Sequence, residues 1–154
     1  MKKEAGFTLV EILAVVVLLG LLLSLIWNVM VQNAFQQKRV ENEIDVNDSA
    51  KALLNHISDV VMEQNTPIVS KVNGVEYIKD TEYNGEFDSI EFRDGKLLKK
   101  ESDNKYILDG KEYNYIKEVR IKISSTGRGL TATVIGDNDK AKVELSSTFY
   151  TRNT

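Results

Sequence analysis

The chain has 154 residues, 28% of them charged, a net charge of −3, no cysteine, one histidine and one proline. The missing cysteines exclude disulfides, thiolate metal sites and thiol catalysis, and a lone His56 builds neither a His-rich metal centre nor a Ser–His relay with any redundancy. Lys and Arg are scattered among acids, with no basic excess to displace counterions from phosphates, so no nucleic-acid partner is predicted.

The length is that of one domain, but the strongly apolar residues before Val40 sit in one block. Met1-Lys2-Lys3-Glu4-Ala5-Gly6 is followed by Phe7-Thr8-Leu9-Val10-Glu11. Ile12 through Trp27 is then apolar except for Gly20 and Ser24. As a helix, Phe7 to Val31 would extend about 37 Å, enough to cross a ~30 Å hydrocarbon core. Lys2 and Lys3 on the near side predict a cytoplasmic N-terminus and an exported C-terminal part. A secretory signal peptide needs small residues just after the apolar run. The exit through Ile26-Trp27-Asn28-Val29-Met30 offers none. Two readings remain: the plain anchor of a single-pass extracellular binding or sensor protein, or a helix preceded by a short leader that is cut away.

Gly6 and Glu11 separate them. A carboxylate within an apolar membrane segment costs at least ~2.5 kcal/mol on insertion scales and is a functional residue by default. A plain anchor has no use for it. If the chain is cut between Gly6 and Phe7, Phe7 carries a free α-amine and Glu11 lies one turn further along. In a bundle of staggered identical helices, the amine of one subunit meets the carboxylate of its neighbour. A misregistered subunit would leave both charges unpaired in a low-dielectric interior, a penalty of several kcal/mol, so the pair fixes register.

The string Gly6-Phe7-Thr8-Leu9-Val10-Glu11, after a short basic leader and before an apolar helix, resembles the class III signal of type IV prepilins and pseudopilins. The resemblance covers about the first thirty residues. It implies cleavage after Gly6 by a membrane prepilin peptidase, N-methylation of the Phe7 amine, and Glu11 as the register residue. It also implies the partners: sibling pilins, the peptidase, a polytopic platform protein and a cytoplasmic motor ATPase. The subunit would wait in the cytoplasmic membrane and then enter an extracellular pilus or a periplasmic or cell-wall pseudopilus. Two departures favour a minor pilin or pseudopilin over a major pilin. The apolar segment lacks the helix-bending proline, the only proline being Pro67, and the C-terminal cysteine pair of many major pilins is missing.

From Asn28 the sequence turns polar but keeps a helical period. Val46, Ala50, Leu53, Leu54, Ile57, Val60 and Val61 fall within an arc of about 120° at ~100° per residue. This stripe is predicted to lie on a sheet, with His56 beside it as a surface or packing residue. Pro67 disfavours helix in the residue before it, so the helix is expected to stop by Asn65-Thr66-Pro67.

After Pro67 the period changes to two. Ile68–Val72 and Val75–Ile78 flank Asn73-Gly74, a hairpin signal. Phe87–Phe92 and Lys96–Lys100 flank Arg93-Asp94-Gly95. Val119, Ile121 and Ile123 alternate with polar residues, as do Leu130, Ala132 and Val134, with Gly127-Arg128-Gly129 turning between them. Lys140–Tyr150 is a last strand. The expected fold is α+β: a long N-terminal helix whose second half packs on an antiparallel sheet of four to seven strands. The expected divisions are 1–6 leader, 7–31 membrane and filament-core helix, 32–66 amphipathic continuation and 67–154 exported β domain. Less specifically, this half resembles minor pilins of the PilW/PulJ kind through its strand order, Leu97-Leu98 and the ending Ser146-Ser147-Thr148-Phe149-Tyr150. That implies a place in the tip or initiation complex of a filament. Competence pseudopilins and the minor pilins of clostridial-type surface pili are rivals.

Other chemistry is thin. Asp137 and Asp139 are the residues a calcium ion would use, but the EF-hand pattern fails because its sixth position is Lys142 rather than Gly; a turn is the competing reading. Gly127-Arg128-Gly129 is read as a hairpin rather than an anion cradle. Glu101-Ser102-Asp103 and Asp80-Thr81-Glu82 are read as solvated loops. Tyr106, Tyr113, Tyr115 and Tyr150 are read as half-buried strand packing. No nucleophile–base arrangement is found, so neither an enzyme nor a cofactor is expected.

Overall fold

The computed structural model describes residues 8–64, 67–78 and 80–152. It divides into two compact units, Met1–Val40 and Glu41–Thr154. Helix α1, Leu9–Glu63, contributes to both.

Every described residue of the first unit is exposed. Leu9, Leu13, Val17, Leu21, Leu25 and Trp27 are each more than half exposed, which is the reverse of a soluble helix. By length and composition α1 holds one stretch able to cross a membrane.

The second unit has its own core. Val46, Ala50, Leu53, Leu54, Ile57, Val60 and Val61 are the buried residues of α1, the seven positions that the helical period selects. The strands are β1 Val69–Val72, β2 Val75–Glu76, β3 Tyr83–Glu86, β4 Ser89–Phe92, β5 Leu97–Ser102, β6 Lys105–Leu108, β7 Lys111–Asn114, β8 Ile116–Ile123, β9 Gly129–Asp137 and β10 Lys142–Tyr150. The fold is α+β, as expected, but the strands do not form one sheet. They form a six-stranded sheet, β2-β1-β4-β5-β6-β7, and a four-stranded sheet, β10-β9-β8-β3. All pairings are antiparallel. Ile90, Phe92, Leu98 and Leu108 of the larger sheet join Val119, Ile121, Leu130 and Val134 of the smaller one, with the helix stripe from Ala50 onward, in a single apolar cluster.

Turn chemistry sets the strand ends. Asn73 and Gly74 have φ of 51° and 76°, the two positive values that a tight two-residue hairpin needs. Asn73 Oδ1 also accepts from the amides of Asp88 (2.8 Å) and Ser89 (3.1 Å). Those amides are thereby kept out of a ladder, and β4 starts at Ser89 rather than Phe87. In the same way Asn138 Oδ1 accepts from the amides of Lys140 (3.2 Å) and Ala141 (2.8 Å), so β10 begins at Lys142 rather than Lys140. Glu101 and Ser102, expected in a loop, complete β5 instead.

The two sheets meet at Tyr106. Its ring packs edge-on against Phe87 at 6.3 Å, and its Oη accepts from the buried amide of Val119 at 3.2 Å. On the helix, His56 Nδ1 lies 2.6 Å from the hydroxyl of Tyr113 on β7.

Candidate functional site

The N-terminal end of α1 holds the one ionisable side chain between Thr8 and Gln37, Glu11. Thr8 stands just before the first helical residue and Glu11 at the third helical position. Thr8 N donates to Glu11 Oε2 at 2.9 Å, and Thr8 Oγ1 donates to the same oxygen at 3.0 Å. The Glu11 amide points back to Thr8 Oγ1 at 3.3 Å and to Thr8 O at 3.1 Å. This is a reciprocal capping box, which satisfies donors that the first helical turn leaves without intrahelical partners. Glu11 also borders a shallow apolar hollow with Ile12, Val15 and Val16. Sequence reasoning found Glu11 but missed Thr8, although Thr-x-x-Glu before an apolar run is the signal for it. Lys2, Lys3, Gly6 and Phe7 lie outside the described residues.

The remaining candidates are tied into local structure. Asp137 Oδ1 accepts from the Asp139 amide at 3.0 Å, and Oδ2 lies 3.4 Å from Lys117 Nζ. That amide bond, outweighing what burial does in the other direction, and the Lys117 ammonium hold the Asp137 carboxyl below the usual range. Among the described residues no group of three or more His, Asp or Glu is placed to hold a metal ion. The amides of Gly127, Arg128 and Gly129 are already engaged with Ser124 O, Thr126 Oγ1 and Ser124 Oγ, so this turn offers an anion no open nest. Glu101 pairs with Lys99 at 3.1 Å and Asp103 with Lys100 at 3.6 Å. Tyr106 and Tyr113 are buried, whereas Tyr115 and Tyr150 are exposed.

Residues 1–27 match the family model of the prokaryotic N-terminal methylation motif. No curated protein and no solved structure matches the chain. The motif spans the expected cleavage point, Glu11 and most of the apolar stretch, and it supports a type IV pilin-like or pseudopilin-like processed subunit.

Proposed function

We propose that the chain is a minor pilin or pseudopilin, cut after Gly6 by prepilin peptidase, methylated on Phe7 and assembled into a type IV pilus or a type II secretion-like filament. One observation carries this reading: a methylation motif whose only intrahelical charge, Glu11, stands on an otherwise apolar and fully exposed helical segment. In the membrane, lipid covers that surface. In a filament, neighbouring helices cover it, and their burial offsets much of the cost of leaving lipid. The Glu11 carboxylate then accepts the α-ammonium of Phe7 from an adjacent subunit. The role is structural rather than catalytic, with partners in sibling pilins, a platform protein and a motor ATPase. The proline-free apolar segment supports a minor subunit, and the PilW/PulJ resemblance supports a tip or initiation position.

The test is the N-terminal mass of the protein recovered from its own membrane, with Glu11→Ala assayed beside it. The expected chain begins at Phe7 and is heavier by one methyl group. Glu11→Ala is expected to insert normally and to be absent from filaments. An intact Met1 start in a host with active peptidase would favour the anchored binding protein instead, whereas filaments containing Glu11→Ala at the normal level would overturn the register role of Glu11.

A further inference from the structure

We infer that β10 is an interaction edge for a second copy of this chain: the two β10 strands pair antiparallel about Ser147 and join two four-stranded sheets into one. The inference stands apart from the pilin reading above, since neither the leader nor Glu11 takes part. The two sheets end in the edge strands β2, β7, β3 and β10. β2 has two residues, and β3 and β7 have four each, with Glu86 in β3 and Lys111 and Glu112 in β7. Short, charged strands are how proteins blunt an edge. β10 is different, with nine residues. It keeps an unbroken register with β9 from Lys142 to Tyr150, holds no proline or glycine, and is uncharged from Leu145 to Tyr150. Among the described residues no strand covers its other side. Its outward N–H and C=O groups therefore form a template that an extended strand satisfies.

The side chains of β10 select a second β10 as that strand. Val143, Leu145, Ser147 and Phe149 form its more buried face, and Lys142, Glu144, Ser146, Thr148 and Tyr150 its exposed face. A two-fold axis normal to the sheet keeps each face on its own side. Centred on Ser147, it sets Leu145 opposite Phe149 of the copy on the buried face, and Ser146 opposite Thr148 of the copy on the exposed face. Both pairings repeat what β9 already offers. Leu130 lies opposite Phe149 and Val134 opposite Leu145. Thr131 Oγ1 lies 2.9 Å from Thr148 Oγ1, and Thr133 Oγ1 lies 3.0 Å from Ser146 Oγ. The apolar row and the hydroxyl row thus run on from one sheet into the next, and cross-strand pairs of both kinds stabilise a ladder. Moving the axis by one residue either way sets Ser147 opposite Leu145 or Phe149 and breaks the apolar pairing. The contact is isologous and closes on itself. Because the axis is normal to the sheet, the helix segments packed on the two sheets run in opposite directions, so the contact joins copies that are not successive subunits of one filament.

The chain has no cysteine, so one introduced thiol reports on one position. In the full chain in detergent, Ser147→Cys paired in this register brings the two Cα atoms to about 4.5–5.5 Å, within the span of a disulfide. Tyr150 meets Glu144 of the copy, so the two Tyr150 residues lie about six positions apart, roughly 20 Å. Mild oxidation is expected to link Ser147→Cys into dimers and to leave Tyr150→Cys monomeric. Adding Ser146→Lys with Thr148→Lys to Ser147→Cys sets lysines opposite each other across the contact and should abolish the link. Adding Ser146→Lys with Thr148→Glu instead sets opposite charges there and should restore it. Urea midpoints show whether each variant is folded. The lysine–glutamate variant alters the same two exposed positions, so its linking decides the matter even where the two-lysine variant fails to fold. Folded Ser147→Cys that links no faster than Tyr150→Cys overturns the inference. A two-lysine variant that links as well as Ser147→Cys alone, or a lysine–glutamate variant that does not link, overturns the register about Ser147.

Discussion

A Cβ placed on Gly136 of β9 would lie 2.5 Å from Cγ1 of Val46, the first buried residue of α1. The same Cβ would meet Tyr115 O at 3.3 Å and Val46 O at 3.4 Å, so the helix backbone and the β7–β8 junction both close on this glycine. Val46 cannot turn aside easily, because a β-branched side chain in a helix has one strongly preferred rotamer. Gly136→Ala is therefore expected to destabilise the second unit by about 1–3 kcal/mol. Val46→Ala in the same chain should recover part of that loss, which urea unfolding of the two single variants and the double variant will measure.

The helix stripe was fully legible because seven apolar residues at a 3.6-residue period leave one way to face a core. The Asn73-Gly74 hairpin was legible because its two positive φ values have a local residue code. The partition into two sheets was not. β4 follows β3 in sequence yet pairs with β1 and β5, while β3 crosses to β8. That choice is made by long-range pairing, which local pattern does not encode. β6 and β7 flank Asp109-Gly110, a turn of the same type as Asn73-Gly74, but each is four residues long and carries charges, so the period of two is hard to see. At the site, Glu11 stood out by its charge. Thr8 stayed hidden because threonine is unremarkable at the head of an apolar run unless the residue three positions on is read with it.

Tyr106 is expected to matter through its oxygen more than its ring. Below β3's last paired residue, Glu86, the free edge of β8 has no strand beside it, and the Val119 amide turns to Tyr106 Oη. Tyr106→Phe keeps the packing against Phe87 and leaves that buried N–H without an acceptor, a loss of about 1–3 kcal/mol. Burial pushes the Tyr106 hydroxyl above its usual value. The Val119 hydrogen bond pulls it down by less, and Glu118, Glu86 and Asp88 add to the rise. A raised folded-state value favours the protonated form, so its contribution is complete below the unfolded value near ~10 and is lost as pH climbs through the folded one. Unfolding midpoints should fall above about pH 10 in the parent and fall less steeply in Tyr106→Phe.

The end of α1 is tied to the β4–β5 turn by a small polar set with the opposite pH behaviour. Lys96 Nζ bridges Glu63 Oε2 at 2.9 Å and Asp94 Oδ2 at 3.2 Å, and the Asp94 amide donates to the buried Gln64 Oε1 at 3.0 Å. Burial alone would push the Asp94 carboxyl up. The Lys96 amide and ammonium and the Gln64 contact outweigh it and hold it below the usual range. A depressed carboxyl stabilises the fold above its unfolded value near ~4, and that contribution is lost as pH falls through the folded one. Asp94→Asn is expected to lose about 0.5–1 kcal/mol at neutral pH, a modest figure because the ion pair is partly solvated. Its stability should converge on that of the parent in acid, which urea midpoints from pH 6 down to pH 2.5 will show. A constant gap across that range would mean that the Asp94 charge contributes nothing.

Tyr115 offers a stabilising substitution. It joins β7 to β8, where the chain passes from the larger sheet to the smaller, and its φ is 62°. The left-handed region costs an L-residue roughly 1–2 kcal/mol, and a bulky aromatic there is a rare occupant. The residue is 41% exposed and lies outside the apolar cluster, so its packing offsets only part of that cost. What holds the conformation is the backbone: Tyr115 O accepts from the Asp137 amide at 2.8 Å. Asparagine tolerates the same φ and keeps that carbonyl. Tyr115→Asn is therefore expected to stabilise the second unit by up to about 1 kcal/mol, read as a higher urea midpoint with an unchanged slope. A lower midpoint would show that the exposed ring makes a contact worth more than the strain, and the ring would then be the next feature to test for a partner.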